Sequence, residues 1–404
     1  MSIAEQDLRE RAISHLPQVV ELRRELHRHP ELGLELPRTQ SAVLDALDGL
    51  GLSITVGERL SSVVADLEGA RPGPTVLLRG DMDALPMTED TGLDFASRTG
   101  NTMHACGHDA HTAMLVGAAR LLSEHRDELV GTVRFMFQPG EEGSGGAAIM
   151  IDEGVLDGVS GAFALHVAPN VPSGIVAWRS GATLASADEI EIVFTGRGGH
   201  ASTPQWAVDP IPAACEAVLA LQSMITRSVN VFDPAVLTIA QVSAGTTHNV
   251  IPETARLFGT LRAVSEETRH SVWERIRTVV DGVAAAHGCS ATVRIDEGYP
   301  VTVNDDVSAR FLAQSADAAL GTPRAFEMPS PVMGAEDFSY VLQRVPGAIG
   351  FLGVCPPDVA DPFGAPACHS NRMILHEETM ADGIAVHVGV ATRFLERGGA
   401  VLDD

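Results

Sequence analysis

Residues 133–142, Val-Arg-Phe-Met-Phe-Gln-Pro-Gly-Glu-Glu, decide the fold, because an apolar run passes there directly into a proline, a glycine and two glutamates. The apolar part, Val133–Phe137, predicts a buried strand that ends in a polar loop. Two further apolar runs have the same form: Thr75–Leu78 leads to an aspartate-rich turn, and Gly161–Leu165 leads to His166. In open α/β sheets the ligand crevice lies beyond the carboxyl ends of the strands, so we expect these polar residues to meet.

The rest of the chain predicts an α/β domain around those three strands. Its further elements are five helices, at residues 4–29, 39–50, 109–124, 305–320 and 377–395, and one strand at residues 348–354. Asp109 stands at the predicted N-cap of the third helix. Because strands alternate with helices, we expect a sheet covered by helices on both faces.

The pattern changes between residues 187 and 297. The predicted order there is strand, helix, strand, strand, helix, strand, at residues 190–195, 208–228, 237–242, 255–262, 265–287 and 291–297. The order β-α-β-β-α-β is that of a ferredoxin-like unit, which is a complete small domain. We therefore expect one α/β domain, residues 1–186 and 298–404, interrupted by a smaller domain at residues 187–297.

Composition excludes several classes of protein. The chain has 404 residues, which favours two domains, and its 28 basic side chains against 53 acidic ones give a net charge of −25. All 28 basic residues are arginine, so a Schiff-base lysine or a phosphate-loop lysine is excluded. A strongly negative chain repels polyanions, so we expect neither nucleic acid nor a membrane surface as a partner.

The sequence also indicates a cytoplasmic protein. Its first residues lack the basic and then apolar layout of a signal peptide, and no apolar run approaches the ~20 residues that span a bilayer. Five cysteines without CxxC spacing argue against a disulfide framework. Among them, Cys215, Cys289 and Cys355 have the pattern of small buried apolar residues.

A set of metal-ligand side chains falls at the ends of the predicted core elements. Its members are Cys106, His108, Glu142, His166 and His369. Thiolate, imidazole and carboxylate groups together are the ligands of zinc and of metals of similar softness. Five donors are too many for one tetrahedral ion with an open position, and they suit two ions ~3.5–4 Å apart that share a bridging ligand. We therefore expect two divalent ions, zinc or manganese.

The pair Glu141-Glu142 indicates the chemistry. Adjacent residues point to different sides, so one carboxylate can bind metal while its neighbour faces a metal-bound water. Metal coordination lowers the pKa of water to about 7, and a nearby carboxylate can then accept its proton.

Mechanisms that use a serine or cysteine nucleophile are disfavoured. No G-x-S-x-G elbow occurs, and Cys106 and His108 are spaced poorly for a thiol–imidazole dyad.

Seven motifs occur in a fixed order and make a resemblance specific. They are GDMDALPMTEDTG at 80–92, MHACGHDAHTAM at 103–114, FQPGEEGSGGA at 137–147, GGHASTPQWAVDP at 198–210, HNVIPE at 248–253, GAEDFSY at 334–340 and CHS at 368–370. Together they resemble the amidohydrolase branch of the two-metal carboxypeptidase and aminoacylase superfamily. That branch includes hippurate hydrolases, N-acyl-amino-acid amidohydrolases and indole-acetyl-amino-acid hydrolases.

The resemblance implies a two-metal α/β peptidase-type catalytic domain, interrupted by a ferredoxin-like lid through which the chain forms a homodimer or homotetramer. Cys106 matches the residue that bridges the two ions. His108, Glu142, His166 and His369 match the remaining ligands.

The resemblance also assigns three acidic residues. Glu141 matches the general base. Asp81 stands where the wider superfamily has a metal-binding histidine, so His108 is expected to supply that ligand instead. Asp83 matches an aspartate that orients a metal ligand without touching the metal.

The resemblance assigns four residues to the substrate, of which three lie in the inserted domain and Gly334 follows it. His200 matches a histidine that reaches a neighbouring subunit's active site and stabilises the tetrahedral oxyanion. Asn249 and Arg262 match substrate contacts, and a guanidinium suits bidentate capture of a carboxylate. Gly334 is expected to offer its backbone N–H to the same carboxylate.

Three functional hypotheses follow. The favoured one is metal-dependent hydrolysis of the amide of a small-molecule N-acyl amino acid, with Glu141 as general base. The alternative in the same chemistry is a dipeptidase or aminopeptidase acting on free-amine peptides. The third is a binding or sensor protein that keeps the fold without catalysis, which the intact set of ligands and base argues against.

Overall fold

The computed structural model describes residues 7–401, and the start of the first predicted helix, residues 4–6, lies outside them. Contacts divide the described chain into two compact units. The first unit takes in the chain up to Gly181, Val303–Ser330 and the chain from Asp337 onward, and the second takes in Ala182–Thr302 and Pro331–Glu336. The predicted insert, residues 187–297, lies within the second unit.

Within residues 7–401 the helices are α1 Leu8–Arg28, α2 Pro37–Leu47, α3 His108–Ser123, α4 Gly146–Asp152, α5 Pro210–Ser228, α6 Glu266–Ala286, α7 Asp306–Leu320, α8 Ser339–Leu342 and α9 Met380–Glu396. The strands are β1 Ser53–Val56, β2 Val63–Glu68, β3 Arg71–Asp81, β4 Val130–Gln138, β5 Val159–Pro172, β6 Val176–Trp178, β7 Gly181–Leu184, β8 Asp188–Thr195, β9 Gly199–His200, β10 Ala235–Ala244, β11 Val250–Ile251, β12 Thr254–Ala263, β13 Ser290–Glu297, β14 Thr302–Asn304, β15 Ala325–Glu327 and β16 Gly347–Cys355.

An eight-stranded mixed sheet forms the centre of the first unit, in the order β1-β2-β4-β3-β5-β16-β6-β15. Strands β4, β3, β5 and β16 run parallel to one another. Every residue of β16 is buried, as expected where a parallel sheet is covered on both faces. Helices α1, α3, α7 and α9 pack together on this sheet, and α4 packs against β4 and α8. The predicted α/β fold class is confirmed.

The sequence did not predict β1 and β2, which extend the sheet antiparallel from β4. All four residues of β1 are exposed, so no apolar run marks this edge strand. The third strand was predicted to end before His166, which is wrong, because β5 continues to Pro172. Strand β3 stops pairing with β5 at Ala164. Strand β16 continues to pair with β5 past His166 and supplies the hydrogen-bond partners of the β5 backbone there.

The predicted N-cap of α3 is also wrong. Helix α3 begins at His108, and Gly107 caps it in the left-handed conformation, with φ of 82°. Asp109 lies one residue inside the helix, fully buried. Its carboxylate accepts hydrogen bonds from Arg23 at 2.7 Å and from His27 at 2.7 Å, so it fixes the start of α3 to α1.

The second unit has the ferredoxin-like topology that the sequence predicted. Its strands β8, β10, β12 and β13 form an antiparallel sheet in the order β10-β12-β8-β13. Helices α5 and α6 cover this sheet and complete a separate apolar core. Ser265 caps α6 by accepting a hydrogen bond from the Thr268 N–H.

Candidate metal centre

The loops that carry the predicted site begin side by side in the first unit. Asp81, the last residue of β3, lies opposite Gln138, the last residue of β4. His166 follows by two residues the point where β3 stops pairing with β5. The carboxyl ends of three neighbouring parallel strands therefore open at one edge of the sheet, where an α/β fold places its ligands.

Among the groups of three metal-binding side chains found within residues 7–401, two share the sulfur of Cys106. Cys106, His108 and His166 form one group, and Cys106, Glu142 and His369 form the other. Within each group the ligand atoms lie within 4.8 Å of one another. The structure thus brings all five predicted donors together, with the Cys106 thiol in the position of a common ligand.

Gly107 sets the separation of Cys106 and His108. Its φ of 82° is disfavoured for any residue with a side chain, and a Cβ there would lie 2.3 Å from Cγ2 of Val167. The loop can therefore press against β5 only with glycine at this position. This contact holds the Cys106 sulfur 3.4 Å from Nε2 of His166.

His369 lies on a loop with a strained backbone. Its φ of 68° is rare for a residue other than glycine, and such strain is concentrated at functional sites. The His369 N–H donates to the Ala105 carbonyl at 2.8 Å, which fixes the loop to the Cys106 segment. Its Nε2 lies 3.2 Å from Oε1 of Glu142, and this carboxylate raises the pKa of His369.

The surroundings of His108 indicate whether the residues of this cluster fit a cation. Its ring is fully buried, and neither ring nitrogen has a hydrogen-bond partner. Burial alone would lower the pKa of His108, but Asp81, Asp83 and Glu142 raise it well above the ordinary value. A buried unsatisfied imidazole among carboxylates is the environment that a bound cation would satisfy. The donor set therefore fits a metal site.

His166 has the tautomer that metal binding needs. Its Nδ1 donates to the Val167 carbonyl at 2.7 Å, so the proton resides on Nδ1. The lone pair of Nε2 then points toward the Cys106 sulfur. Fixing one ring nitrogen in this way is the usual means of orienting a histidine ligand.

Asp83 holds the two glutamates in place. Its carboxylate accepts the backbone N–H of Glu141 at 2.9 Å and that of Glu142 at 3.0 Å. It also lies 3.5 Å from Nδ1 of His108. Asp83 thus fixes the backbone of both glutamates. Oε2 of Glu141 lies 4.0 Å from His108 Nε2.

Asp81 lies behind the cluster in a buried charge network. Arg79 donates to its Oδ2 at 2.6 Å, and Oδ1 lies 2.5 Å from Nδ1 of His111. Burial tends to raise the pKa of Asp81, but Arg79, His108 and His111 together hold it well below its usual range. Oδ2 is 3.5 Å from His108 Nε2, so the negative charge of an ionised Asp81 attracts that imidazole electrostatically.

His111, which the sequence did not single out, lies between the candidate ligands His108 and His166. Its Nε2 accepts the Val167 N–H at 2.8 Å while Nδ1 donates to Asp81, so both ring nitrogens are engaged. His111 is therefore neutral, and burial lowers its pKa to about 4 despite Asp81. It bridges the segments of His108 and His166. Its position one turn after His108 on α3 was the available signal.

The four predicted substrate residues all belong to the second unit. His200 on β9 is exposed and pairs with Val250 of β11, beside Asn249, whose carbonyl accepts the Ala201 N–H at 3.1 Å. Arg262, near the end of β12, is half-buried, and burial lowers its pKa. The Gly334 carbonyl accepts the Ala185 N–H at 2.9 Å.

The α/β fold with this cluster defines a metal hydrolase of the peptidase type. Residues 77–393 match the peptidase family M20/M25/M40, and the chain belongs to this family. It is 40% identical over 336 residues to the N-acetylcysteine deacetylase of Bacillus subtilis, covering 83% of this chain and 88% of that protein. It is 39% identical over 381 residues to the IAA-amino acid hydrolase ILR1-like 4 of Arabidopsis thaliana, covering 93% and 86%.

A solved structure agrees with this membership. The Bacillus subtilis YXEP protein, a dinuclear metal binding peptidase of the M20 family, superposes with a TM-score of 0.83 at 35% identity. The match covers 95% of this chain and 99% of that one. The protein is therefore a metal-dependent amidohydrolase of the two-metal type. No helix within residues 7–401 is both long and apolar enough to cross a membrane.

His111→Phe is expected to lower metal affinity by roughly ten- to a hundredfold, the usual effect of losing a residue that orients ligands. Phenylalanine fills the space but neither donates to Asp81 nor accepts from Val167. His111→Gln retains one donor and one acceptor, so it should lose less. Competition against a chromophoric chelator measures the affinity of each variant, and thermal unfolding reports any general loss of stability.

His270→Gln serves as the matched control, because His270 is exposed on α6 in the other unit. Wild-type metal affinity in a folded His111→Phe chain would refute the positioning role of His111.

Proposed function

We propose that this amidohydrolase cleaves the amide of N-acyl amino acids, using two zinc or manganese ions held by Cys106, His108, Glu142, His166 and His369. The observation that carries the proposal is the position of Glu141, a 7% exposed carboxylate with an oxygen within 4.8 Å of ligand atoms of His108 and Glu142. The two relatives named above are, by their names, a deacetylase of N-acetylcysteine and a hydrolase of IAA-amino acids.

Glu141 performs the proton transfers in this proposal. Bound metal supplies the acidification of a water and the polarisation of the substrate carbonyl. Glu141 would accept a proton from the attacking water and would then give that proton to the departing amine. Asp83 contributes by holding the Glu141 backbone, so that the carboxylate needs little rearrangement during the reaction.

His200 is the proposed donor to the tetrahedral oxyanion. Its Nδ1 accepts a hydrogen bond from the Ser202 N–H at 3.1 Å, and the Ser202 hydroxyl lies 2.7 Å away. Because Nδ1 accepts this hydrogen bond, Nε2 is the ring nitrogen available as a donor. A donor aimed at developing negative charge lowers the barrier more than it stabilises the substrate.

The amino-acid carboxylate is assigned to Arg262, with Asn249 and the Gly334 N–H as further contacts. Among residues 7–401 no side chain pairs with the Arg262 guanidinium in a hydrogen bond or a salt bridge. A half-buried guanidinium that lacks such a partner favours an anionic ligand, which it can bind in a bidentate manner.

We further propose that the second unit acts as a lid and forms a homodimer or homotetramer. Strand β10 is an edge of its sheet, with Val236 and Val242 exposed. An exposed apolar edge strand is suited to pairing with another chain. A cytoplasmic location remains part of this proposal.

A substrate comparison tests the proposed activity. We expect the metal-loaded chain to hydrolyse N-acetyl and N-benzoyl amino acids, and to lose that activity when a chelator is added. Free-amine dipeptides should be poor substrates, and so should N-benzoyl amino-acid carboxamides, because Arg262 then has no carboxylate to bind. Faster turnover of dipeptides than of acyl amino acids would overturn the proposal in favour of a peptidase.

Glu141→Gln is expected to lower kcat by roughly 10²–10⁴-fold, because the amide retains the shape of the side chain but cannot accept a proton. Its metal content should remain that of the wild type. Glu142→Gln is the matched neighbour, which should instead lose metal. Activity assays together with elemental analysis separate the two roles, and an active Glu141→Gln enzyme would exclude Glu141 as the base.

A further inference from the structure

A second cysteine lies against the shared metal ligand. The Cys368 sulfur lies 4.0 Å from the Cys106 carbonyl and 3.8 Å from the Val167 carbonyl. Cys368 is separated from Cys106 by 262 residues, so this contact arises from the fold and not from local sequence.

The backbone holds this pair together. The hydrogen bond from the His369 N–H to the Ala105 carbonyl joins the two residues that adjoin the cysteines. His369 is also fixed by its left-handed backbone conformation, and Cys106 by the glycine that follows it. Two cysteines whose backbones are held in contact satisfy the first requirement for a disulfide without unfolding.

We propose that Cys106 and Cys368 are a redox-active pair, which a peroxide converts to a reversible disulfide when the metal site is empty. The disulfide removes the Cys106 thiolate from metal binding. Disulfide formation itself is independent of the proposed amide hydrolysis, whereas its effect on metal rests on the proposed ligand set.

The reaction balances with peroxide as the oxidant. Cys368 is the more exposed of the two thiols, since Cys106 is only 7% exposed. The Cys368 thiol gives up its proton, and the resulting thiolate attacks one peroxide oxygen. The O–O bond breaks, a sulfenic acid forms, and the leaving hydroxide takes up the released proton as water. The Cys106 sulfur then attacks the Cys368 sulfur, which releases the second water. Two thiols have lost two electrons and two protons, and one peroxide has become two waters.

The other three cysteines do not compete for this reaction. Cys215 and Cys289 belong to the second unit, and the Cys355 sulfur lies 3.7 Å from its neighbouring Pro356 carbonyl. Cys215 is exposed, which corrects the prediction that it is a buried apolar residue. It provides a matched control, because it is a reactive-looking thiol remote from the proposed pair.

Metal binding and the disulfide exclude each other, because both require the Cys106 sulfur. A thiolate that ligates metal has its lone pairs engaged, whereas a disulfide sulfur has no negative charge to donate. A thiol reductant restores the dithiol and, with it, the capacity to bind metal.

The experiment treats the full-length, chelator-stripped chain with hydrogen peroxide and then maps its peptides without reduction. We expect free thiols to fall from five to three, the mass to fall by two hydrogens, and one crosslinked peptide to join Cys106 to Cys368. Zinc uptake should fall in parallel and return after dithiothreitol. Zinc added before the peroxide should preserve all five thiols.

Two variants make the outcome specific. Cys215→Ser should form the same crosslink as the wild type, whereas Cys368→Ser should form none and should still bind zinc after stripping. Recovery of Cys106 and Cys368 as free thiols or as separate sulfinic acids, or equal crosslinking with and without zinc, would overturn the proposal. Failure of amide hydrolysis leaves these readouts unchanged, so the two proposals are tested separately.

Discussion

The guanidinium of Arg79 is the contact on which the site depends. It is 1% exposed and donates to Asp81 at 2.6 Å, to Gln138 at 2.9 Å and to Asp337 at 3.1 Å. It therefore ties the ends of β3 and β4 to the segment that precedes α8. Burying a charge this deeply is tolerated only when every donor finds an acceptor. The planar fork of arginine meets that condition, which matters in a chain without lysine.

Contacts extend from this network to the candidate metal ligands and to Glu141. Arg79 keeps Asp81 ionised, and Asp81 fixes the tautomer of His111, which in turn anchors the backbone beside His166. On the other side, Asp83 anchors the pair of glutamates. The result is a rigid cluster with more negative than positive groups around His108. An excess of buried negative charge favours the binding of a cation, and the donors held by this arrangement suit two metal ions.

The sequence predicted the parts of the fold that local pattern determines. Apolar runs that pass into polar loops located β3, β4 and the start of β5, and the strand and helix order located the ferredoxin-like unit. Exposed β1 was not predicted because its four residues, Ser53–Val56, contain no continuous apolar run. Asp109 was misplaced because its partners, Arg23 and His27, lie on another helix and outweigh its capping preference.

The five candidate ligands were predictable because their residue types and positions at element ends point to one chemistry. His111 and Cys368 were not identified, since their importance arises from contacts with residues distant in sequence. His111 is engaged by Asp81 and Val167, and Cys368 by Cys106 across 262 residues. The Cys106 sulfur thus belongs both to the proposed metal site and to the proposed redox pair.

The most direct measurement is an anomalous diffraction map of crystals grown with zinc or manganese, collected at the metal absorption edge. We expect two peaks ~3.5–4 Å apart, with the Cys106 sulfur between them. One peak alone, or peaks away from the five donors, would contradict the binuclear centre.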